Sequence, residues 1–151
     1  MERKRSPHIR PARESDLARI AEMEIFNYRL NFYPIFQEDT FYFAELQVPH
    51  KMEEYRPALQ NFWVYDDGTV KGFVRVDGRE IKKLFVEPVL QGRGIGAQLL
   101  EYAVEILGSD RLWTLEKNVR AIAFYGRHGF MPTGERIPEE DTEEYLLRLQ
   151  R

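Results

Sequence analysis

The sequence predicts a single α/β domain over residues 1–151, built on one mixed, mostly antiparallel sheet with helices on both faces. A chain of 151 residues suits one hydrophobic core. From Phe62 onwards, short apolar segments alternate with hairpin signals at 66–68 and 77–78. The segment 81–115 has the pattern strand–helix–strand, which implies one parallel pair of strands joined by a right-handed crossover.

The first third of the chain is predicted to hold a short strand and several helical segments. The strand covers residues 8–12, and Ser15 or Asp16 can cap the helix that follows it. Apolar residues at helical spacing supply the core face of this helix. They are Leu17, Ile20, Ala21, Met23 and Phe26. Pro34 then interrupts the helical pattern.

The remaining elements alternate between strand and helix. A three-strand meander comes first, followed by a helix ended by Gly108, a strand, a short helix ended by Gly129, and two further strands. Their predicted boundaries in chain order are 62–65, 70–76, 81–86, 96–107, 111–115, 119–127, 131–136 and 144–149.

Composition argues against several classes of function. The formal net charge of −3 gives no electrostatic reason to expect a nucleic-acid partner. The absence of cysteine removes disulfides and thiolate nucleophiles, and the three histidines show no ligand spacing, so no metal is expected. No apolar stretch approaches the length of a membrane span, and no apolar run follows the basic start of the chain. A cytoplasmic protein without a membrane partner is therefore expected.

Residues 91–96 form a glycine-rich segment between a predicted strand and a predicted helix. Because Gly92, Gly94 and Gly96 lack Cβ atoms, the backbone can adopt positive φ and bring its N–H groups close to an anion. The following helix adds the positive end of its dipole. We therefore expect a loop that binds the pyrophosphate of a nucleotide-bearing cofactor, although a plain glycine-rich turn has the same composition.

The same loop also matches a dinucleotide-binding fingerprint. Gly92, Gly94 and Ala97 fit the pattern G-x-G-x-x-G/A, and Glu116 lies near the spacing of a ribose-binding acid. However, residues 87–90 separate the loop from its strand, and the preceding strands form a meander. Too little chain follows residue 115 to build a doubly wound sheet, so a nicotinamide-dependent oxidoreductase is disfavoured.

Two motifs at the expected separation resemble the GCN5-related N-acetyltransferase (GNAT) family. The loop fits the pattern Gln or Arg, two residues, Gly, any residue, Gly or Ala through Gln91, Gly94 and Gly96, and the strand end 84–88 resembles L-x-V-x-P. Downstream residues resemble the segment N-x-x-A-x-x-F-Y-x-x-x-G-F. They are Asn118, Ala121, Phe124, Tyr125, Gly129 and Phe130. The resemblance covers about 70–130, and it implies the family's fold with a splayed parallel strand pair and acetyl-CoA as acyl donor.

The resemblance implies a role for each matched position. The strand at Leu84, Phe85 and Val86 is expected to pair its backbone with the pantetheine arm of CoA where the two parallel strands splay apart. Asn118 is expected to hydrogen-bond the pantetheine, and Tyr125 to stand beside the thioester sulfur. The residues expected to hold the pyrophosphate are Gln91, Gly92, Arg93, Gly94, Ile95 and Gly96.

Transfer from a thioester to an amine requires two proton movements. Tyr125 is expected to be the general acid that protonates the leaving thiolate, although an aromatic pair on a short helix is also typical of core packing. Glu80 is a candidate general base, because its position eleven residues before Gln91 resembles that of the base in the histone-modifying branch. A solvated acid after a hairpin is the alternative reading of Glu80. Ordered water, Glu116 and His50 are the other candidate bases.

Two features bear on the acyl acceptor, which is expected to be a small-molecule amine or a peptide amine. Aromatic residues within 26–43 could line a cleft for a hydrophobic or cationic amine, although helical spacing is by default that of a core. Acidic residues within 135–144 are typical of a solvated loop, but they would attract cationic amines if they rim the acceptor site.

The leading interpretation is an acyl-CoA-dependent N-acyltransferase, and a non-catalytic acyl-CoA-binding module is the alternative. The length of the acyl group and the identity of the amine stay open. The chain could act as a monomer or a homodimer.

Overall fold

Seven strands form one sheet in the computed structural model, which describes residues 6–151. The basic segment 1–5 lies outside the described residues. In chain order the strands are Ile9–Pro11 (β1), Phe62–Asp66 (β2), Val70–Asp77 (β3), Glu80–Val86 (β4), Arg111–Leu115 (β5), Met131–Pro138 (β6) and Tyr145–Gln150 (β7). Their spatial order is β1-β2-β3-β4-β5-β7-β6.

The sheet is antiparallel except between β4 and β5. This parallel pair is joined at two positions, where Glu80 lies opposite Arg111 and Ile81 opposite Leu112. Beyond Ile81 the two strands diverge, while β4 continues to pair with β3 as far as Val86. The predicted mixed sheet with one splayed parallel pair is therefore confirmed.

Helices cover both faces of this sheet, as predicted. The α-helices are Leu17–Asn27 (α1), Tyr33–Phe36 (α2), Val48–Tyr55 (α3), Ile95–Glu105 (α4) and Val119–Arg127 (α5). The 3-10 helices are Glu14–Asp16, Arg56–Asn61 and Pro88–Leu90, and the π-helices are Tyr28–Phe32 and Thr40–Glu45. None of the helices within residues 6–151 combines the length and the apolar character that crossing a bilayer requires.

Pro34 does not interrupt the helical path as strongly as the sequence pattern predicts. The chain runs from α1 through a π-helix into α2, and Pro34 occupies the first turn of α2. A proline is tolerated there because the first N–H groups of a helix have no intrahelical partner.

The predicted cap of α1 is wrong. The helix begins at Leu17, and the side chains of Ser15 and Asp16 do not cap it. The buried carboxylate of Asp16 instead accepts a hydrogen bond from the backbone N–H of Arg13 at 2.8 Å and pairs with Arg10 at 2.8 Å. The Asp16 carboxylate is therefore occupied by Arg10 and by the Arg13 N–H and does not cap α1. A 3-10 turn at Glu14–Asp16 precedes the helix.

Each face of the sheet has its own hydrophobic cluster. Helix α4 packs on one face, and α1 and α3 pack on the other. Gly72 on β3 allows α4 to approach closely, because a Cβ atom there would lie 2.9 Å from Leu99 Cδ1 and 3.1 Å from the carbonyl oxygen of Phe85. The start of α4, and the loop that leads into it, are thereby fixed against the sheet.

Candidate active site

The glycine-rich loop lies between β4 and α4 and opens that helix. Gly92 and Gly94 both have a φ of +82°, a region that residues with a Cβ atom rarely adopt. Gly96 is helical, and a Cβ atom there would make ordinary contacts of 3.6 and 3.7 Å with Phe124 and Val86. Within residues 6–151, the backbone N–H groups of Gly92, Arg93 and Gly94 donate to no protein group.

These free donors stand beside the first, unpaired N–H groups of α4 and the positive end of its dipole. The arrangement is a cradle for an anion. The side chain of Arg93 is exposed, and that of Ile95 is buried in the core cluster under α4, so Ile95 contributes only its backbone to the loop.

Gln91 has a positioning role in this loop. Its Nε2 donates to Asn27 Oδ1 at 3.1 Å and to the carbonyl oxygen of Val86 at 3.3 Å. Asn27 is buried at the end of α1 and donates its own Nδ2 to the carbonyl oxygens of Met23 and Val86, at 2.8 and 3.0 Å. The Gln91 side chain therefore anchors the loop to α1 and to the end of β4.

A cavity of about 980 Å³ opens where β4 and β5 diverge. Leu84 and Phe85 of β4 line it, together with Thr114 of β5. Val86 does not line the cavity, and its carbonyl oxygen already accepts two hydrogen bonds. Strand β4 has no partner strand on this side beyond Ile81, so its backbone is open to pair with an extended ligand.

Asn118 and Tyr125 both line this cavity, from the start and the last turn of α5. Asn118 Oδ1 accepts a hydrogen bond from the N–H of Ala121 at 3.2 Å and caps the helix, which leaves the Nδ2 donors available. The Tyr125 ring stacks on Phe124 and packs edge-on against Phe130. No group within residues 6–151 hydrogen-bonds its hydroxyl, and burial raises the pKa of that hydroxyl above its ordinary value.

The three acidic or imidazole side chains considered as bases lie outside the cavity wall. Glu80 stands at the start of β4 and pairs with Lys82 at 2.6 Å. Glu116 pairs with Arg136 at 2.9 Å, and exposed His50 has its Nδ1 3.4 Å from a backbone carbonyl oxygen. None of these three side chains lines the cavity, so ordered water is the remaining base among those expected from the sequence.

Aromatic side chains from the first helices form the opposite wall of the cavity. They are Tyr28, Phe32, Phe36, Phe41 and Tyr42. Phe26 and Phe43, which share the same stretch of sequence, are 43% and 49% exposed and do not line it. The predicted aromatic cleft is thus built from part of that stretch.

Three further side chains at the site belong to no sequence motif, and the sequence analysis does not predict them. Asn27 falls on the apolar face of α1 with Ile20 and Met23, and a polar residue on such a face is a signal that could have been read. Lys83 donates to the hydroxyl of Tyr28, and Thr114 sits on β5, but nothing in the local sequence marks either as part of a cavity.

Residues 6–151 contain no cluster of three or more histidine or acidic side chains arranged to hold a metal ion. The cavity is instead lined by hydroxyls, an amide, aromatic rings and charged side chains.

Comparison with known families matches this chain to the acetyltransferase (GNAT) domain over residues 58–132. The peptidyl-lysine N-acetyltransferase YjaB of Salmonella typhimurium is 34% identical over 84 residues, which are 56% of this chain and 58% of the relative. The peptidyl-lysine N-acetyltransferase YiaC of Escherichia coli is 36% identical over 85 residues, or 55% of this chain and 58% of the relative. The chain thus spans little more than half the length of the curated relatives it matches.

Solved structures match the fold over nearly the whole chain. Apo-form YjaB from Escherichia coli has a TM-score of 0.69 at 21% identity, and the match covers 94% of this chain and 95% of that one. The yncA structure from Salmonella typhimurium, a putative acetyltransferase with acetyl-CoA, has a TM-score of 0.69 at 19% identity, covering 95% and 91%. The matched domain, the relatives and the fold agree, and this chain belongs to the GNAT family of acetyltransferases.

Proposed function

We propose that this chain is an acyl-CoA-dependent N-acyltransferase that moves an acetyl group from acetyl-CoA to a primary amine by direct attack, with Tyr125 as general acid. The observation that carries the proposal is the Tyr125 hydroxyl: it has no partner within the described residues, and it lines the cavity where β4 and β5 part.

Separate groups of the site suit successive parts of a CoA donor, from its pyrophosphate to its pantetheine arm. The free N–H groups of Gly92, Arg93 and Gly94 suit its pyrophosphate. The unpaired edge of β4 at Leu84 and Phe85 suits the amide-containing pantetheine arm. Two relatives in the same family were solved with coenzyme A or acetyl-CoA, which supports the same donor here.

Gln91, Ile95 and Gly96 complete this binding loop in different ways. Gln91 orients it through Asn27, Ile95 anchors it in the core, and Gly96 lies in the first turn of α4 next to the Phe124 ring. Val86 supports the loop through its carbonyl oxygen, and Asn118 presents Nδ2 donors to the pantetheine side of the cavity.

The proposed transfer forms one bond and breaks one bond. The neutral amine nitrogen attacks the thioester carbonyl, the new N–C bond forms, and the C–S bond breaks. The starting ammonium loses one proton through ordered water before the attack, and the attacking nitrogen loses a second one to water as the amide forms. The Tyr125 hydroxyl gives its proton to the leaving sulfur and regains one from solvent. Burial keeps the Tyr125 pKa above its ordinary value, so the hydroxyl stays protonated at neutral pH and can act as the acid.

The Tyr125→Phe variant tests this assignment. General acid catalysis contributes roughly 10²- to 10⁴-fold, so we expect kcat for amine acetylation to fall by about that factor. The Kd for CoA, measured by calorimetry, should change less than about threefold, because the hydroxyl has no role in the loop. Wild-type turnover in the variant would remove Tyr125 from the mechanism.

A non-catalytic acyl-CoA-binding module is the second candidate, because the loop and the splayed strands alone would suffice to bind the donor. It predicts tight CoA binding with no CoA release in the presence of any amine. Glu80→Gln is a control for the enzyme, because Glu80 is ion-paired outside the cavity: if water is the base, this variant should keep the acidic limb of the wild-type pH–rate profile, where a general base would titrate.

A further inference from the structure

We propose that the Tyr28 hydroxyl stabilises the negative charge that develops on the thioester carbonyl oxygen during transfer, and that Lys83 holds and polarises this hydroxyl. Tyr28 is then a catalytic residue, because its hydroxyl touches a reacting atom, and Lys83 is a positioning residue that acts through it. This inference rests on the proposed N-acyltransferase function and adds a second pair of side chains to the same site.

Tyr28 and Tyr125 line the cavity from opposite faces of the sheet. The Tyr125 ring packs in the hydrophobic cluster under α4. Tyr28 instead contacts Phe85, which packs in the cluster under α1 and α3, and Lys83 reaches Glu24 of α1 on that same face. An acyl group attached to a sulfur beside Tyr125 and directed through the splay of β4 and β5 therefore faces Tyr28 and Lys83.

The Tyr28 ring is fixed by its neighbours. It packs edge-on against Phe32 and Phe85, with ring centroids 4.9 and 5.7 Å apart. Tyr28 also begins the π-helix Tyr28–Phe32, and such widened turns are frequent at functional sites. The hydroxyl at the end of this ring is thus held in one place on the cavity wall.

The Tyr28 hydroxyl has a proton to offer to a ligand. Lys83 Nζ donates to its oxygen, so the oxygen acts as an acceptor toward the protein. Among residues 6–151 no group accepts the proton of this hydroxyl. A hydroxyl that accepts from an ammonium becomes a stronger donor, since hydrogen bonds in a chain polarise one another.

A buried carboxylate holds Lys83 beside Tyr28. Glu24 is fully buried, accepts from the Tyr55 hydroxyl at 2.6 Å and pairs with Lys51 at 3.1 Å. Lys83 Nζ lies 3.9 Å from the same carboxylate, a longer contact than that of Lys51. Because Lys51 has the shorter contact, the charge of Lys83 is only partly offset and acts on Tyr28 and the cavity.

An O–H donor next to an ammonium suits an oxygen that gains negative charge, and it repels a second ammonium. Burial raises the pKa of Tyr28 above its ordinary value, and the charge of Glu24 adds to the effect, so the hydroxyl stays protonated at neutral pH. As the N–C bond forms, a carbonyl electron pair moves onto oxygen, and it returns as the C–S bond breaks. Tyr28 keeps its own proton throughout, while Tyr125 protonates the sulfur.

Tyr28→Phe tests the role of the hydroxyl, because the ring and its contacts with Phe32 and Phe85 remain. Turnover is measured with acetyl-CoA and either butylamine or a lysine-containing peptide as acceptor. Loss of one oxyanion donor costs about 10²- to 10³-fold, so we expect kcat to fall by that factor. The KM for the amine and the Kd for CoA should change less than about threefold, and urea unfolding checks that the variant is folded.

Lys83→Met tests the polarising cation, and we expect kcat to fall about tenfold. In the Tyr28→Phe background the same change should cost less than about twofold, since Lys83 acts only through the hydroxyl. Lys82→Met is the matched control: Lys82 lines the cavity from the same strand but pairs with Glu80 at 2.6 Å. Its kcat should stay within about threefold of the wild type.

The outcomes separate this inference from the proposed function. A wild-type kcat in Tyr28→Phe, or a raised KM for the amine at unchanged kcat, would overturn the oxyanion role while the acyltransferase stands. Additive losses in the double variant would overturn the coupling of Lys83 to Tyr28. Binding of CoA by the wild type without acetylation of either acceptor would overturn the proposed function, and this inference with it.

Discussion

Asn27 shows how one buried amide holds the parts of the site together. Its Nδ2 donates to carbonyl oxygens of α1 and β4, and its Oδ1 accepts from Gln91 of the loop. The residue is 2% exposed, so water cannot replace these bonds. The position of the loop relative to the splay of β4 and β5 therefore depends on this side chain.

Replacing Asn27 by Asp should weaken both the fold and donor binding. The carboxylate could still accept from Gln91 but could not donate to Met23 or Val86, and a buried charge would lack a cationic partner. We expect a loss of about 1–3 kcal/mol in the free energy of unfolding and a clear rise in the Kd for CoA. Urea unfolding and calorimetry measure the two effects.

Asn31→Ala is the control for that substitution. Asn31 is exposed, and its single contact with Asn27 Oδ1 is long, at 3.4 Å. Its removal should change stability by less than about 0.5 kcal/mol. Equal losses of unfolding free energy in the two variants would mean that the hydrogen bonds of Asn27 to Met23 and Val86 do not stabilise the fold.

Side chains in short motifs could be located from the sequence, whereas those that depend on distant partners could not. Asn118 and Tyr125 are in the cavity, as their motif implies, because the motif also fixes the helix that carries them. Glu80 does not line the cavity, and it pairs with Lys82 instead. Thr114 enters the site only because β4 and β5 part beside it.

The loop and helix α4 act as one element whose glycines have different roles. Gly94 is left-handed with open space around it, so a side chain there strains the backbone without a clash. Gly96 has helical backbone and room for a methyl group. The motif predicts glycines at both positions, but only the backbone angles reveal which of them is required.

Gly94→Ala should therefore raise the Kd for CoA about tenfold. Alanine in the left-handed conformation at the start of α4 costs about 1–2 kcal/mol, and relief of this strain would turn the N–H of residue 94 away from the anion. Gly96→Ala should bind CoA within about threefold of the wild type. Calorimetry on both variants decides the matter, and equal affinities would contradict the assignment of Gly94 as the critical glycine.

The order of elements was predictable because strand and helix periods differ along the chain, but the width of the splay was not. The hairpin signals at 66–68 and 77–78 each join neighbouring antiparallel strands, as the sequence predicts. The parallel pair stops at Ile81, whereas β5 stays paired through Leu115 with β7 on its other edge, and that pairing joins residues more than thirty positions apart. Local sequence does not contain such information.

Across the whole molecule, both faces of the sheet bury ionisable groups. Between α1, α3 and β4, the carboxylate of Glu24 accepts from the Tyr55 hydroxyl at 2.6 Å and pairs with Lys51 at 3.1 Å. On the opposite face the Tyr125 ring packs beside α4. Burial raises the pKa of both tyrosines, and for Tyr55 the charge of Glu24 and its hydrogen bond add to the effect.

These raised pKa values predict that the protein loses stability in alkali. The unfolded chain releases tyrosine protons near pH 10, whereas the folded chain retains them, so unfolding becomes easier as pH rises above about 10. The stabilisation is fully present below that pH and is lost as pH rises towards the folded-state pKa. Each such group contributes a slope of up to about −1.4 kcal/mol per pH unit.

Tyr125→Phe isolates one of these contributions without removing a hydrogen bond within the described residues. Urea unfolding of this variant between about pH 9 and 11 should show a shallower decline than the wild type, by up to about 1.4 kcal/mol per pH unit. The tyrosinate absorbance of the folded wild type should rise at a higher pH than the absorbance of the unfolded chain. Parallel declines for the two proteins would mean that Tyr125 titrates alike in both states, and that burial does not raise the pKa of its hydroxyl.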